Sequence, residues 1–324
     1  MRIFFLLSVA LLFFVTSVGK AQDNPPELPV LSATKGHGCY VSAVAFSKEG
    51  NRAASSDMKG NIFLWEVASE LKRKGEFRAT TGPGVEKWVW SVALSPDGKI
   101  LAAGSDDKTV WVWESESGKL LRRVRGHGER VDNVFFLPDG KKGISVDRYG
   151  TCLVWDVDGD AKPQEQLLKT GARVTSLSPD GKLLCYSDGN NTILFDLANG
   201  KKISTIGKYC EDVAFAPDSK KIAKGDDSFP KTVQLWDTKT GKQLWASNGH
   251  NNKIKRVLFT PDGKRILSMD GVRLHIWDTE NGDEIGRFRI GGKTVASCIA
   301  CSLDGKMVLV GNREGGLALH KLPE

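Results

Sequence analysis

The phrase Ser95-Pro96-Asp97-Gly98 recurs down the chain, and this recurrence limits the possible folds more than any other feature. It returns as Leu137-Pro138-Asp139-Gly140, Ser178-Pro179-Asp180-Gly181 and Ala216-Pro217-Asp218-Ser219. Two further copies are Thr260-Pro261-Asp262-Gly263 and Ser302-Leu303-Asp304-Gly305, and a weaker one, Ser47-Lys48-Glu49-Gly50, starts the series. From Glu49 to Asp304 the steps are 48, 42, 41, 38, 44 and 42 residues. A regular period of this length marks one supersecondary unit per copy, each unable to bury its apolar faces alone.

Every copy has the same layout. An alternating strand comes first, as in Val131, Asn133 and Phe135 against Asp132, Val134 and Phe136. The chain then reverses: Pro presets φ, Asp bonds back to the backbone, and Gly accepts positive φ. A second strand such as Ile100 to Gly104 follows, then a polar hairpin, then a third strand ending in an aromatic. The aromatics are Trp65, Trp113, Trp155, Phe195, Trp236 and Trp277, with His320 in the seventh slot. An acidic residue follows the first six: Glu66, Glu114, Asp156, Asp196, Asp237 and Asp278. A fourth strand leads into the next copy after turns such as Ser115-Glu116-Ser117-Gly118 or Thr238-Lys239-Thr240-Gly241. Four short antiparallel strands per copy bury both faces only when the sheets stack radially, which leaves short, protected edges. The expectation is an all-β, seven-bladed β-propeller of four-stranded antiparallel blades over residues 27–324.

Gly-His pairs at Gly36-His37, Gly126-His127 and Gly249-His250, with Trp-Asp closing several copies, resemble the WD-repeat family. The resemblance implies that the segment Glu27 to Thr34 supplies the fourth strand of the last blade beside Gly316 to Leu322, locking the termini together. It also implies internal wiring in each blade by a His, a Ser or Thr, an Asp and the closing Trp. The candidates for that structural set are His37, Trp65, Asp107, Trp113, His127, Trp155, Trp236, His250 and Trp277. The set reads as incomplete, because Lys59 and Tyr149 stand where Asp107 aligns in the first and third copies. Blade rigidity is therefore expected to rest mainly on packing.

Residues 1–21 stand outside the repeats. Arg2 gives a positive start, Ile3 to Val18 form an almost unbroken apolar run, and Gly19 and Ala21 have the small-residue spacing of a signal-peptidase site. Cleavage is expected after Ala21, leaving a polar leader over 22–26 and a secreted or periplasmic protein; an uncleaved anchor is the alternative, but sixteen residues are short for a span of about 20. The net charge is +7, and loss of Arg2 and Lys20 leaves +5. These charges are scattered over turns, whereas nucleic-acid binding wants a concentrated basic face. No nucleic-acid partner, no cofactor and, after cleavage, no stable membrane insertion are expected; the closed ring is expected to be monomeric.

Little of the chain points to catalysis. Three of the five histidines are the Gly-His residues; His275 alternates with Leu274 and Ile276 and belongs on the opposite face, and His320 fills a packing slot. Six cysteines invite disulfide pairing in an oxidising compartment, yet Cys152, Cys185, Cys210 and Cys301 align with apolar or small core positions. Cys39 near the mouth of the first blade is the outlier. Cys298-x-x-Cys301 lies on an extended strand, where residues three apart point to opposite faces. Acidic pairs such as Asp106-Asp107 and Asp226-Asp227 sit in hairpins and read as turn chemistry, so no metal site is expected.

One surface stands out. In the resembled family, first-strand residues just after the Gly-His position line the wider channel opening. That count gives Tyr40 and Ser42, then Trp88 and Trp90, Arg130 and Asp132, Tyr209 and Glu211, and Lys253 and Lys255. Aromatics with Arg are enriched at binding hot spots. The leading expectation is a non-catalytic extracytoplasmic scaffold binding a protein or peptide there. The alternatives are a carbohydrate or cell-wall module stacking sugars on Trp88 and Trp90, and an enzyme using Asp132, Glu211, Lys253 and Arg130. Trp88 and Trp90 could instead pack between the first two blades.

Overall fold

A computed structural model of the chain describes residues 25–79, 87–159, 161–167, 174–226, 228, 230–290 and 292–323, without the side chains of 165–167. The expected signal segment, most of its leader and Asp227 lie outside the described residues. Among the described residues, twenty-eight strands form seven four-stranded antiparallel sheets. Six sheets take consecutive strands; the seventh is ordered with Val30–Thr34 first, then Leu317–Lys321, Met307–Asn312 and Ala296–Cys301. The first strands of neighbouring blades touch around the ring, so they are the innermost. No helix of the described residues is long and apolar enough to cross a membrane.

The repeated turn works as its chemistry requires. In the second blade the Gly98 amide donates to the Ser95 carbonyl (2.8 Å), and the Ser95 hydroxyl donates to Asp97 Oδ1 (2.6 Å). The Lys99 amide donates to Asp97 Oδ1 (3.1 Å), and Gly98 sits at φ 69°. The fifth blade has Ser219 in that place, and it is forced to φ 62°, a left-handed conformation costly for a residue with a Cβ.

Alternation along each strand sends successive side chains to opposite neighbours. Val110 and Val112 pack toward the third blade with Val131 and Trp155, while Trp111 and Trp113 pack toward the first with Leu64 and Phe77. Seven apolar clusters result, one between each adjacent pair of blades, including the seventh and first through Phe63, Trp65, Leu309 and Leu319. Burial of these faces is the main favourable term holding the ring together.

The N-terminal strand closes the ring as expected, in the register Ala33 opposite Ala318 and Thr34 opposite Leu317. The strand is shorter than the segment from Glu27, because the residues before it do a different job. The Leu28 amide donates to the Arg289 carbonyl (2.9 Å), and the Arg289 amide donates to the Pro26 carbonyl (2.8 Å), so this stretch is stitched to the outer strand of blade six. Leu28 is 1% exposed among Leu267, Ile290 and Leu322. His320 is more than a packing residue: its Nδ1 hydrogen-bonds the Leu28 carbonyl at 3.0 Å.

The internal wiring is more complete than the alignment to Asp107 suggests. In blade one, Trp65 Nε1 donates to Ser55 Oγ (2.8 Å), Ser55 Oγ meets His37 Nε2 (2.7 Å), and His37 Nδ1 meets Asp57 Oδ2 (2.9 Å). Asp57 also accepts the Lys59 and Asn61 amides. Burial works to raise the Asp57 pKa, but these bonds and the one from His37 hold it below the ordinary value. Blade three keeps the His127–Ser145 bond and blade six the His250–Ser268 and Trp277–Ser268 bonds. Their His–Asp contacts are longer, 3.5 Å to Asp147 and 3.6 Å to Asp270, and the Trp155 indole N–H has no hydrogen-bond partner. The alignment to Asp107 misses these Asp residues because of hairpin length: Asp57 and Asp147 stand eight residues before their Trp and Asp270 seven, whereas Asp107 stands six before Trp113. Lys59 and Tyr149 are therefore ordinary hairpin residues. In blade two Asp107 Oδ2 instead accepts the indole of Trp111 (3.1 Å), not Trp113. In blade five Trp236 reaches Asp226 through Gln234.

Candidate interaction face

Because the first strands are innermost, the residues at their starts share one mouth of the channel, and the Pro-Asp-Gly turns ring the other. The turn-side mouth is an apolar cavity of about 770 Å³ bordered by Pro96, Pro138, Pro179, Pro217, Pro261 and Leu303. The opposite mouth carries the residues expected from the sequence, and it gathers them into separate groups.

The largest group spans blades two and three. Trp88 is 44% exposed, and its ring centroid lies 5.4 Å from that of Trp90 with a 54° tilt. The Arg130 guanidinium lies 3.7 Å above the Trp90 ring. Cation–π attraction and the flat guanidinium favour this stack. Arg130 Nε is 2.7 Å from Asp132 Oδ1, but the angle is too bent for either atom to complete a hydrogen bond, and the indole N–H of Trp90 has no partner. Burial raises the Asp132 carboxyl above its ordinary pKa despite Arg130. Neither Trp88 nor Trp90 belongs to the apolar cluster between blades one and two, which instead takes Val89 and Val92.

A second group joins blades five and six. The Tyr209 hydroxyl donates to Glu211 Oε1 (3.2 Å), and Lys253 Nζ is 2.5 Å from the same oxygen. Next to it, Asp212 accepts the Val257 amide (2.8 Å) and faces Arg256 at 3.6 Å; burial pushes its carboxyl up to about 6. Lys255 Nζ reaches the Ala296 carbonyl at 3.4 Å, Tyr40 lies under Arg313 at 6.0 Å, and Ser42 is buried against Ser56. The four residues considered for catalysis thus form two local ion pairs on different blades. Asp212, Arg256 and Arg313 escaped the sequence count. The first two sit one position off its chosen register, and Arg313 comes from a hairpin rather than a first strand.

The cysteines divide as their strand positions suggest. Cys298 packs toward blade one and Cys301 toward blade six, on opposite faces of the strand Ala296–Cys301. Burial pushes the Cys152 and Cys210 thiols up to about 12 and Cys298 to about 11, and Cys152, Cys185, Cys210 and Cys298 are buried thiols. A thiol held that high supplies little thiolate at neutral pH.

Residues 29–66 and 75–114 match the family model described as WD domain, G-beta repeat. These two segments carry WD repeats. Curated relatives are WD-repeat proteins too. The chain is 29% identical over 292 residues to Nuclear distribution protein PAC1 of Arthroderma benhamiae, an alignment covering 84% of this chain and 58% of that one. It is 26% identical over 260 residues to Periodic tryptophan protein 2 of Arabidopsis thaliana, covering 75% of this chain and 27% of that protein. The Arabidopsis thaliana Guanine nucleotide-binding protein subunit beta is 24% identical over 314 residues, covering 88% and 81% respectively. The chain thus spans well under two thirds of the length of the first two relatives.

Proposed function

We propose that this WD-repeat propeller is a non-catalytic scaffold whose channel mouth at the first-strand starts receives a protein or peptide partner. The observation that carries the reading is the group on blades two and three: an exposed Trp88 beside Trp90, with Arg130 stacked on the second ring. Rigid aromatics and Arg give large contact area at low entropic cost, the chemistry of hot spots. WD-repeat relatives whose names denote subunits or corepressors, such as the Transcriptional corepressor LEUNIG_HOMOLOG of Arabidopsis thaliana (23% identical over 272 residues), are in keeping with such a role. Local closure of the Arg130–Asp132 and Lys253–Glu211 pairs favours binding over an enzyme at this mouth.

The setting we propose is outside the cytoplasm, supported by the apolar run Ile3 to Val18 and the Gly19/Ala21 spacing; N-terminal sequencing of exported protein should begin near Gln22. Affinity capture from the native cells with the mature chain as bait tests the binding reading. Trp88→Ala and Arg130→Ala should each deplete the captured partner at least about tenfold while the variants melt like the parent, the loss expected of a hot-spot truncation. Normal capture by both folded variants overturns the proposed face, and retention on polysaccharide in place of a discrete protein favours carbohydrate binding.

A further inference from the structure

Blade six departs from its sisters at one buried position. Two residues before the closing Trp, blades one and three carry Phe63 and Leu153, and blade six carries His275. Phe63 packs tilted against His37 with the His37–Asp57 contact at 2.9 Å, whereas blade three, with Leu153, already has a longer His127–Asp147 contact of 3.5 Å. The His275 ring lies tilted against His250 at 3.8 Å between centroids, and His250 Nδ1 stands 3.6 Å from Asp270 Oδ2, too far for a good hydrogen bond.

The protonation pattern follows from the partners. His275 Nδ1 is 2.7 Å from Glu284 Oε1, and a carboxylate only accepts, so the ring proton sits on Nδ1. Arg287 grips Glu284 from the far side, Nε on Oε1 at 2.8 Å and Nη2 on Oε2 at 2.6 Å. That leaves His275 Nε2 without a hydrogen-bond partner in a fully buried side chain, a costly arrangement unless something occupies it. His250 uses Nε2 on Ser268 Oγ (2.6 Å), while its Nδ1 completes no hydrogen bond. One ligand atom from each of His250, Asp270 and His275 lies within 4.8 Å of the others.

We propose that His250, Asp270 and His275 form a buried Zn2+ site inside blade six, with Glu284 as the carboxylate that orients His275. Two neutral imidazoles and one carboxylate are a ligand set Zn2+ accepts, with water in a fourth position. The His275–Glu284–Arg287 chain has the form of the carboxylate–histidine pairs that fix metal-bound imidazoles. Ligand atoms on tetrahedral Zn2+ are about 3.3 Å apart, so separations of up to 4.8 Å must shrink by as much as about 1.5 Å. A groove of about 400 Å³ beside His250, bordered by Pro230, Lys231 and Asn251, offers an entry path. Ca2+ and Mg2+ are poor fits, since the set offers a single carboxylate where they want six or more oxygens.

The test is titration of the chelator-stripped full-length mature chain with ZnCl2 by calorimetry, repeated with CaCl2 and MgCl2. One equivalent of Zn2+ should bind, with a rise in melting temperature, and Ca2+ and Mg2+ should do neither. His275→Phe, which copies the residue blade one already accommodates, should stay folded and lose binding at least about 100-fold, and Glu284→Gln should weaken it about 10–100-fold. Co2+ bound in place of Zn2+ should give a visible d–d band absent from His275→Phe. Failure of the folded parent to bind one equivalent, or unchanged binding in His275→Phe, overturns the site. Trp88→Ala should bind Zn2+ like the parent, which separates this proposal from the fate of the interaction face.

Discussion

Truncating Leu28 to Ala should unfasten the ring at its only seam between chain ends. The Leu28 side chain is 1% exposed and packs among blade-six and blade-seven residues, although it precedes every blade in sequence. Losing three carbons forfeits about 2.4 kcal/mol of transfer energy at about 0.8 kcal/mol each. The cavity left behind adds to this, and measured Leu-to-Ala losses run from about 2.7 to 5 kcal/mol. A loss of about 3 kcal/mol corresponds to a fall of about 5 °C in melting temperature for a domain of about 300 residues. Leu31→Ala is the control: it lies on the same closing segment but is 43% exposed, and should cost no more than about 0.5 kcal/mol. Scanning calorimetry of both variants beside the parent reads the difference. If the two melt together, the closing segment contributes nothing through burial and the seam must be held otherwise. Deleting 27–33 should be harsher, since it also bares the edge of the strand Leu317–Lys321 and invites aggregation.

Four other outcomes are expected. Asp57→Ala removes a buried carboxylate that His37 and the Lys59 and Asn61 amides all use, and should cost about 3–5 kcal/mol by urea denaturation, clearly more than Asp107→Ala. Ser219→Gly relieves the positive φ and should raise stability by about 0.5–1 kcal/mol; no gain would mean its hydroxyl bond to the Asp180 amide matters more. Lys224, 1% exposed and bonded through Nζ to the Lys208 carbonyl, is pushed down by burial, so Lys224→Met should leave stability unchanged or raise it by up to about 4 kcal/mol at neutral pH. Because the folded Lys pKa is lowered, the parent gains stability as pH rises toward about 10, and the advantage of the variant should shrink there. For Asp212 the folded pKa of about 6 lies above the ordinary value of 3.8, so the folded state binds more protons between those values. The parent loses that contribution as pH rises from about 4 to 6, and Asp212→Asn should gain on it by about 2–3 kcal/mol over the same window.

The repeat, the number of blades and the closure were legible in the sequence because they depend on turn chemistry and strand alternation, which are local. Pro-Asp-Gly reverses a chain wherever it occurs, and period-two patterning sends Val110 and Trp111 to opposite blades whatever the neighbours are. The wiring was only half legible. His37 and Trp65 announce themselves, but the Asp that completes the set moves by one or two positions as the hairpin lengthens, so Asp57, Asp147 and Asp270 were hidden behind a rigid count.

The mouth residues were named from one register, and the tertiary structure decided how they group. Trp90 and Arg130 come from different blades and meet only because the inner strands stand side by side. Burial too belongs to the assembled ring: Asp212 and Lys224 look like solvated charges in the sequence, and their shifted protonation comes from neighbours about 10 to 45 residues away. The same holds for His275, which joins His250 and Asp270 only because the strand Arg273–Asp278 brings it beside the loop and the hairpin that carry them. The repeated turn dictates a propeller, since each copy needs two neighbours to bury its faces. What that propeller can hold, at its mouth or inside a blade, depends on distances that exist only once the ring has closed.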